Sequence, residues 1–371
     1  MRGGKAEGSV DPGARKLRPL VLRDGRGYPR KASYGDVVTR IASYARGSGP
    51  DPLPLMRRRF GRASGLLAGA VLDAIFADPR AGHPVEVFGS LAVRAEECLW
   101  ADTRSRGVLF AAACVGPVAA VGITMQRLAS RDALHDFGLT AAATWTVLGA
   151  ASLAREATGI ARVLDVGDLD AAREWLPALC GRDPDQLDGP GIARATVESV
   201  AENTSDAVVA PLFWGAVAGM PGLLAYRAVN TLDAMVGHRS RRYERFGWAV
   251  ARLDDAANWL PARVTAVLTV LLAPAVGGRP GRTLRIRRGD GAAHPSPNAG
   301  RCEAAFAGAL DVQLGGTNVY DGIVERRALL GDGPPPTAND IMSAVRLSRL
   351  VSVVATVASA AVAWLLAWKR S

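Results

Sequence analysis

Apolar residues gather in blocks along this chain, and the charges lie between the blocks. The blocks cover residues 63–77, 108–125, 137–154, 207–225, 264–278 and 350–368. A helix needs about twenty apolar residues to cross a bilayer. The second, third and last blocks approach or meet that length and predict membrane helices. The first is short and carries Asp73; the fourth contains Pro211 and Pro221; the fifth is shorter still and contains Pro274. These three predict short spans, re-entrant helices or buried core, because irregular backbone at membrane depth is tolerated only against protein or water. The predicted fold is all-α: a polytopic integral membrane protein with about 4–6 apolar membrane segments, some of them re-entrant.

Residues 1–60 are rich in Gly, Pro and Arg and show no apolar period. They predict a disordered basic tail ahead of a membrane domain over 61–371. No signal-peptide core occurs in the first thirty residues. Met56, followed by three arginines, is an alternative translation start.

Charge adds a partner class. The chain carries 45 basic and 35 acidic residues, a net charge of +10. Anionic lipid or phosphorylated substrates fit that balance. No zinc-finger or RNP-type motif accompanies it, so nucleic acid is not expected. Cys98, Cys114, Cys180 and Cys302 are far apart, with no CxxC pair, and predict free thiols. The Arg-rich stretches 57–62, 239–263 and 279–288 favour the cytoplasmic side of a cell membrane. Six strict spans would put 198–206 and 230–263 on opposite faces. If the first, fourth and fifth blocks do not cross, everything over 155–349 shares one side.

Candidate chemistry is densest between Glu198 and Asn298. Glu198, Glu202 and Asp206 recur at i, i+4 and i+8, one face of a helix. Three acids on one face repel unless a cation is present, and Mg²⁺ takes such oxygen ligands together with phosphate. The alternative is a solvated acidic helix face. Asn203 lies within this run. Asn230 and Asp233 share a helical face, and Arg239 follows as a candidate for phosphate or carboxylate. Arg252, Asp254, Asn258 and Arg263 form a third group entering an apolar block, where ionisable residues are paired or functional. His294, Ser296 and Asn298 lie in a Pro- and Gly-rich turn, followed by Glu303. The polar, glycine-rich stretch 314–322 reads as a surface loop, and no Walker loop occurs.

In order, Asp78-Pro79 with His83-Pro84-Val85, the run Glu198 to Asp206, Tyr226 to Asp233, Arg252 to Arg263 and His294 to Gly300 resemble the motifs of the adenosylcobinamide-phosphate synthase family (CobD/CbiB). The likeness covers about residues 61–366 and leaves out the tail. It implies a role in cobalamin biosynthesis: ATP-dependent amide ligation of adenosylcobyric acid with (R)-1-aminopropan-2-ol phosphate, or the free amino alcohol. ATP and Mg²⁺ are the implied cofactors, and the corrinoid is substrate. Glu198, Glu202 and Asp206 would hold Mg²⁺–ATP, with Asp233 or Asp254 as a second acidic contributor. Arg239, Arg252 and Arg263 would stabilise phosphate and carboxylate, and His294 is a candidate base or phosphate contact. The implied partners are these small molecules and the lipid bilayer, with a homo-oligomer or pathway complex in view. The competing classes are a membrane transporter or sensor, and a structural component of a corrinoid pathway.

Overall fold

In this computed structural model the described residues are 22–23, 29–30 and 52–369, less 78–82, 131, 239 and 321–322; side chains are described over 61–366 less these and 319–324. The chain divides into two units at Pro52. In the first, β1 (Leu22–Arg23) pairs antiparallel with β2 (Pro29–Arg30). The remainder of the predicted tail before residue 52 lies outside the described residues.

The second unit is helical, in the order α1 (Pro52–Phe76), α2 (Pro84–Leu99), α3 (Arg104–Ala129), α4 (Ala133–Val147), α5 (Ala150–Asp165), α6 (Leu169–Trp175), α7 (Gly189–Thr204), α8 (Ala210–Leu232), α9 (Trp248–Leu272), α10 (Pro280–Gly289), α11 (Ala299–Leu310) and α12 (Ala338–Lys369). Five helical segments are long and apolar enough to cross a membrane: Arg104–Ala129, Ala133–Asp165, Gly189–Gly237, Trp248–Val276 and Ala338–Leu366. The fourth and fifth apolar blocks, predicted as short or re-entrant, thus lie inside long helical segments.

Three local features depart from the sequence reading. Helix α1 starts at Pro52, nine residues inside the predicted tail; proline is preorganised for a first helical turn. The third block divides at Leu148–Gly149 into α4 and α5. The amide hydrogens freed there are taken up by neighbours: Gly149 N donates to Ala207 O at 3.2 Å and Ala151 N to the buried Asp73 carboxylate at 3.2 Å. The stretch read as a loop forms β3 (Leu314–Tyr320), paired antiparallel with β4 (Ile323–Leu330) with an irregularity between Leu314 and Gly316.

The fourth block turns back on itself. Tyr226 Oη donates to Asp206 O at 3.0 Å. On a straight helix, residues twenty apart would be separated by about 30 Å. The reversal is at Gly219, whose φ of 70° and ψ of −154° lie outside helical space, in a region open to glycine and strained for other residues. Its tip is closed by α1 and α3: Gln126 Oε1 accepts from Met220 N at 3.2 Å and from Arg62 at 3.2 Å. The hairpin packs on α3 through a small contact, Gly122 against Pro221 near the tip, and the connection that follows the hairpin packs there through Gly107 against Phe246. Helix α1 meets α4 through a stripe of Gly61, Gly65 and Gly69 facing Asp136, Thr140 and Thr144; such small residues let membrane helices approach closely.

The reversal puts both ends of the hairpin on one side, which removes the conflict between 198–206 and 230–263. On a cysteine-free background, Asp185→Cys and Arg241→Cys should react with an impermeant maleimide from the same face of sealed vesicles, and Ser130→Cys from the opposite face. Labelling of the first two from opposite faces would overturn the hairpin. Gly219→Ala should lower the melting temperature in detergent, by an amount matching about 1–3 kcal/mol for the strain at positive φ.

Candidate functional site

At the open end of the hairpin, α7 passes through a π turn over Ser205–Val209, and α8 ends in a second over Asp233–Gly237. Single π turns of this kind recur at functional sites. Asp206 lies in the first π turn and stands close enough to Asp254, Glu202 and Asp233 for mutual repulsion. All four are half-buried. Asn258, fully buried, donates to Asp254 Oδ2 at 2.9 Å and accepts from Tyr226 Oη at 2.8 Å. Asn230 lies beside Asp254 and accepts from Arg227 at 3.4 Å. The other carboxylate oxygen of Asp254 is buried with no hydrogen-bond partner among the described residues.

Glu198 is placed differently. Its Oε2 pairs with Arg182, both side chains buried, and its Oε1 accepts from Gly315 N at 2.6 Å. Gly315 and Gly316 have φ of 81° and 88°, and a side chain at Gly315 would collide with the backbone of β4. Glu198 therefore ties α7 to the loop before it and to β3. Among the described residues no three His, Cys, Asp or Glu side chains converge as a metal cluster. The oxygen donors nonetheless suit Mg²⁺, which uses one or two carboxylates with water and phosphate rather than a full protein cage. Glu202, Asp206 and Asp254 have the chemistry for that.

A second group flanks the acids. His294 and Glu303 are buried, with Nε2 and Oε1 3.7 Å apart. Nδ1 accepts from Ser296 N at 3.0 Å, and Nε2 lies 3.4 Å from Arg327 Nη1. Burial, then the nearby Arg327, pushes the His294 imidazole below its usual range. Burial, then the charges of Glu198 and Glu202, pushes Glu303 well above the carboxylate range. At neutral pH the imidazole is uncharged, and burial favours a proton on the carboxyl beside it. The second Glu303 oxygen is buried without a hydrogen-bond partner among the described residues.

The remaining sequence candidates separate by place. Ser296 Oγ accepts from Ala299 N at 3.1 Å and caps α11. Asn298 donates to Asp255 O at 2.8 Å, joining this turn to α9. Asn203 donates to Ser199 O at 3.0 Å within its own helix. Arg252 is exposed, 3.7 Å from Asp255. Arg263 stacks 4.0 Å over the Trp259 ring. Arg239 and Asp78-Pro79 lie outside the described residues. Four participants were not singled out in the sequence as site residues: Arg182, Tyr226, Glu303 and Arg327. Two of them left a signal: Tyr226 opens one of the ordered motifs, and Glu303 is the lone acid of its helix.

Removing one partner of a buried ion pair strands the other charge, at a cost of about 3–5 kcal/mol. Glu198→Ala should lose that much stability in detergent denaturation, and Arg182→Met with Glu198→Met should recover most of it. The acid pair sets a pH dependence. A folded Glu303 with a raised pKa holds a proton that the unfolded chain has released, so stability falls as pH rises toward its folded value. His294, with a lowered pKa, works in the other direction and costs stability as pH falls below about 6.5. Glu303→Gln should flatten the alkaline side of a melting-temperature profile; an unchanged alkaline slope would sink the assignment.

The comparisons follow the same residues. The family model described as CobD/Cbib protein matches residues 66–348. Cobalamin biosynthesis protein CobD of Mycobacterium tuberculosis is 53% identical over 296 residues, 80% of this chain and 94% of that protein. The protein of that name from Rhodobacter capsulatus is 41% identical over 301 residues, 79% and 93% of the two chains. That from Geobacter metallireducens is 45% identical over 276 residues, 73% and 87%. No solved structure matches. A multi-helix fold with span-length apolar segments, a match across the whole acid centre and nearly full-length relatives all agree: the chain belongs to the CobD/CbiB family.

Proposed function

We propose that this protein acts in cobalamin biosynthesis as an ATP-dependent amide ligase. It joins adenosylcobyric acid to (R)-1-aminopropan-2-ol phosphate, or to the free amino alcohol. The observation that carries this reading is the half-buried carboxylate centre at the mouth of the hairpin, flanked by a neutral imidazole and a buried carboxyl with raised proton affinity. A carboxylate is a poor acyl donor because its carbonyl is charge-stabilised, so the reaction needs activation by ATP and a group to receive the amine proton. Bound Mg²⁺ would screen phosphate charge, held by one or two carboxylates of the set Glu202, Asp206 and Asp254, with Asp233 as an outer acid. His294, neutral through burial, is the group that would receive the amine proton, with Glu303 3.7 Å from its ring. Tyr226 and Asn258 fix Asp254 and the hairpin mouth, so the site contributes mainly positioning and electrostatics.

The Arg-rich stretches flanking the hairpin mouth support a cytoplasmic site in a cell membrane. A broken helical hairpin is also found in transporters, and uptake of corrinoid is the second reading. Purified protein in neutral lipid should convert cobyric acid and aminopropanol phosphate to product only with ATP and Mg²⁺. Running both amine donors identifies the natural one. Glu202→Gln should abolish turnover, a loss of at least about 100-fold, with membrane insertion intact. Wild-type rates in that variant, or vesicle uptake without any ligation, would refute the ligase reading.

A further inference from the structure

Three arginines gather on the flank of α11 away from the carboxylates. Helix α9 runs alongside α11, with Cys302 Sγ 3.6 Å from Ala262 O. Arg263 follows Ala262, and Arg301 precedes Cys302. Arg287, near the end of α10, joins them. A side chain at Gly291 would lie 2.7 Å from Arg287 O and 3.3 Å from Arg301 Cδ, so Arg301 crosses the end of α10 there. Arg263 is close enough to Arg301 and Arg287 to be repelled by both. Burial, then Arg301 and Arg288, pushes the Arg287 guanidinium below its usual range. Among the described residues, none of Arg263, Arg287 and Arg301 forms an ion pair with a carboxylate. The Arg287 Nε–H is buried with no hydrogen-bond partner among those residues. Arg301 and Glu303 are two residues apart on α11, about 200° around the helix, so the basic cluster and the acid centre occupy opposite flanks.

Half-buried like charges with an unmet donor are unfavourable alone and favourable around an anion. Guanidinium groups match the oxygens of phosphate through forked hydrogen bonds. Arg263 is already fixed by stacking on Trp259 and by donating to Trp259 O at 2.6 Å. We infer that Arg263, Arg287 and Arg301 form a binding site for a phosphate group, separate from the carboxylate centre and on the other side of α11. The phosphate belongs either to a soluble phosphate compound or to a lipid headgroup. The exposed Trp259, Leu260, Val267 and Leu271 on α9 give the site an apolar border that a lipid would share. The site is independent of the ligase reading, since it requires phosphate recognition and no reaction.

The test uses the full chain in phosphatidylcholine nanodiscs, with melting followed by tryptophan fluorescence. Pyrophosphate and ATP, each without Mg²⁺, are the soluble probes; discs containing phosphatidylglycerol are the lipid probe. At least one probe should raise the wild-type melting temperature, as any ligand that binds the folded state does. Arg287→Gln and Arg301→Gln should weaken that response at least about tenfold in probe concentration, and Arg288→Gln, an exposed neighbour, should retain it. Without a probe, the two variants should melt at or above wild type, because a repelling charge is gone. A response to the soluble probes assigns the site to free phosphate compounds; a response confined to phosphatidylglycerol assigns it to lipid. Variants that respond like wild type to every probe would overturn the inference. So would variants that melt well below wild type with no probe present, which would make the arginines structural. Absence of ligation activity leaves each of these readings intact.

Discussion

A helix that enters a bilayer must either cross it or turn back with its backbone polar groups satisfied, because the hydrocarbon offers them no partner. The segment from α7 through α8 takes the second course. Gly219 supplies a backbone conformation that only glycine adopts without strain, and Gln126, steadied by Arg62, receives the amide hydrogen of the turn. From this turn follows the position of each acid. Asp206 and Asp233 stand at the two ends of the hairpin and are brought side by side, with Asp254 arriving on the next helix.

That assembly has an electrostatic cost, and the structure disposes of it in two ways. Glu198 is neutralised by Arg182 and pinned by the amide of Gly315, so it links helix, loop and strand. Burial and the neighbouring acids raise the proton affinity of Glu303, beside an imidazole that burial keeps uncharged. The half-buried Glu202, Asp206, Asp233 and Asp254 are left as the accessible anionic set, a suitable place for a hydrated divalent cation with phosphate. The separation of a buried, compensated layer from a half-open, uncompensated one distinguishes supporting residues from those available to a substrate. The aromatic contact between Phe110 and Phe246, with ring centroids 5.0 Å apart, and the fork of Arg242 on Glu96 hold the connection from α8 to α9 against α2 and α3, so the mouth of the hairpin is braced from outside as well.

Much of this was legible along the chain. Charge-free runs near span length identified the membrane helices because their hydrophobicity is a local, additive property. Clustered carboxylates and the prolines of the fourth block marked where chemistry and broken backbone meet. Helical spacing grouped Glu198 with Glu202 and Asp206, but it does not reveal the acids that arrive from elsewhere, Asp233 and Asp254, or the pairing of Glu198 with Arg182. Strand β3 was hidden by its two glycines, which weaken strand propensity yet allow the irregular register that turns Gly315 N toward Glu198.

The sequence alone determined the solvent of this protein, its helical class and the family resemblance, since composition, periodicity and ordered motifs are read residue by residue. The tertiary structure decided which acids share a place, which are neutralised and on which flank of α11 the arginines collect. These depend on contacts between residues distant in sequence: Asp206 with Tyr226 across the reversal, Arg182 with Glu198 between loop and helix, His294 with Glu303 across a turn. No local pattern specifies such pairs, because they follow from where Gly219 sends the chain.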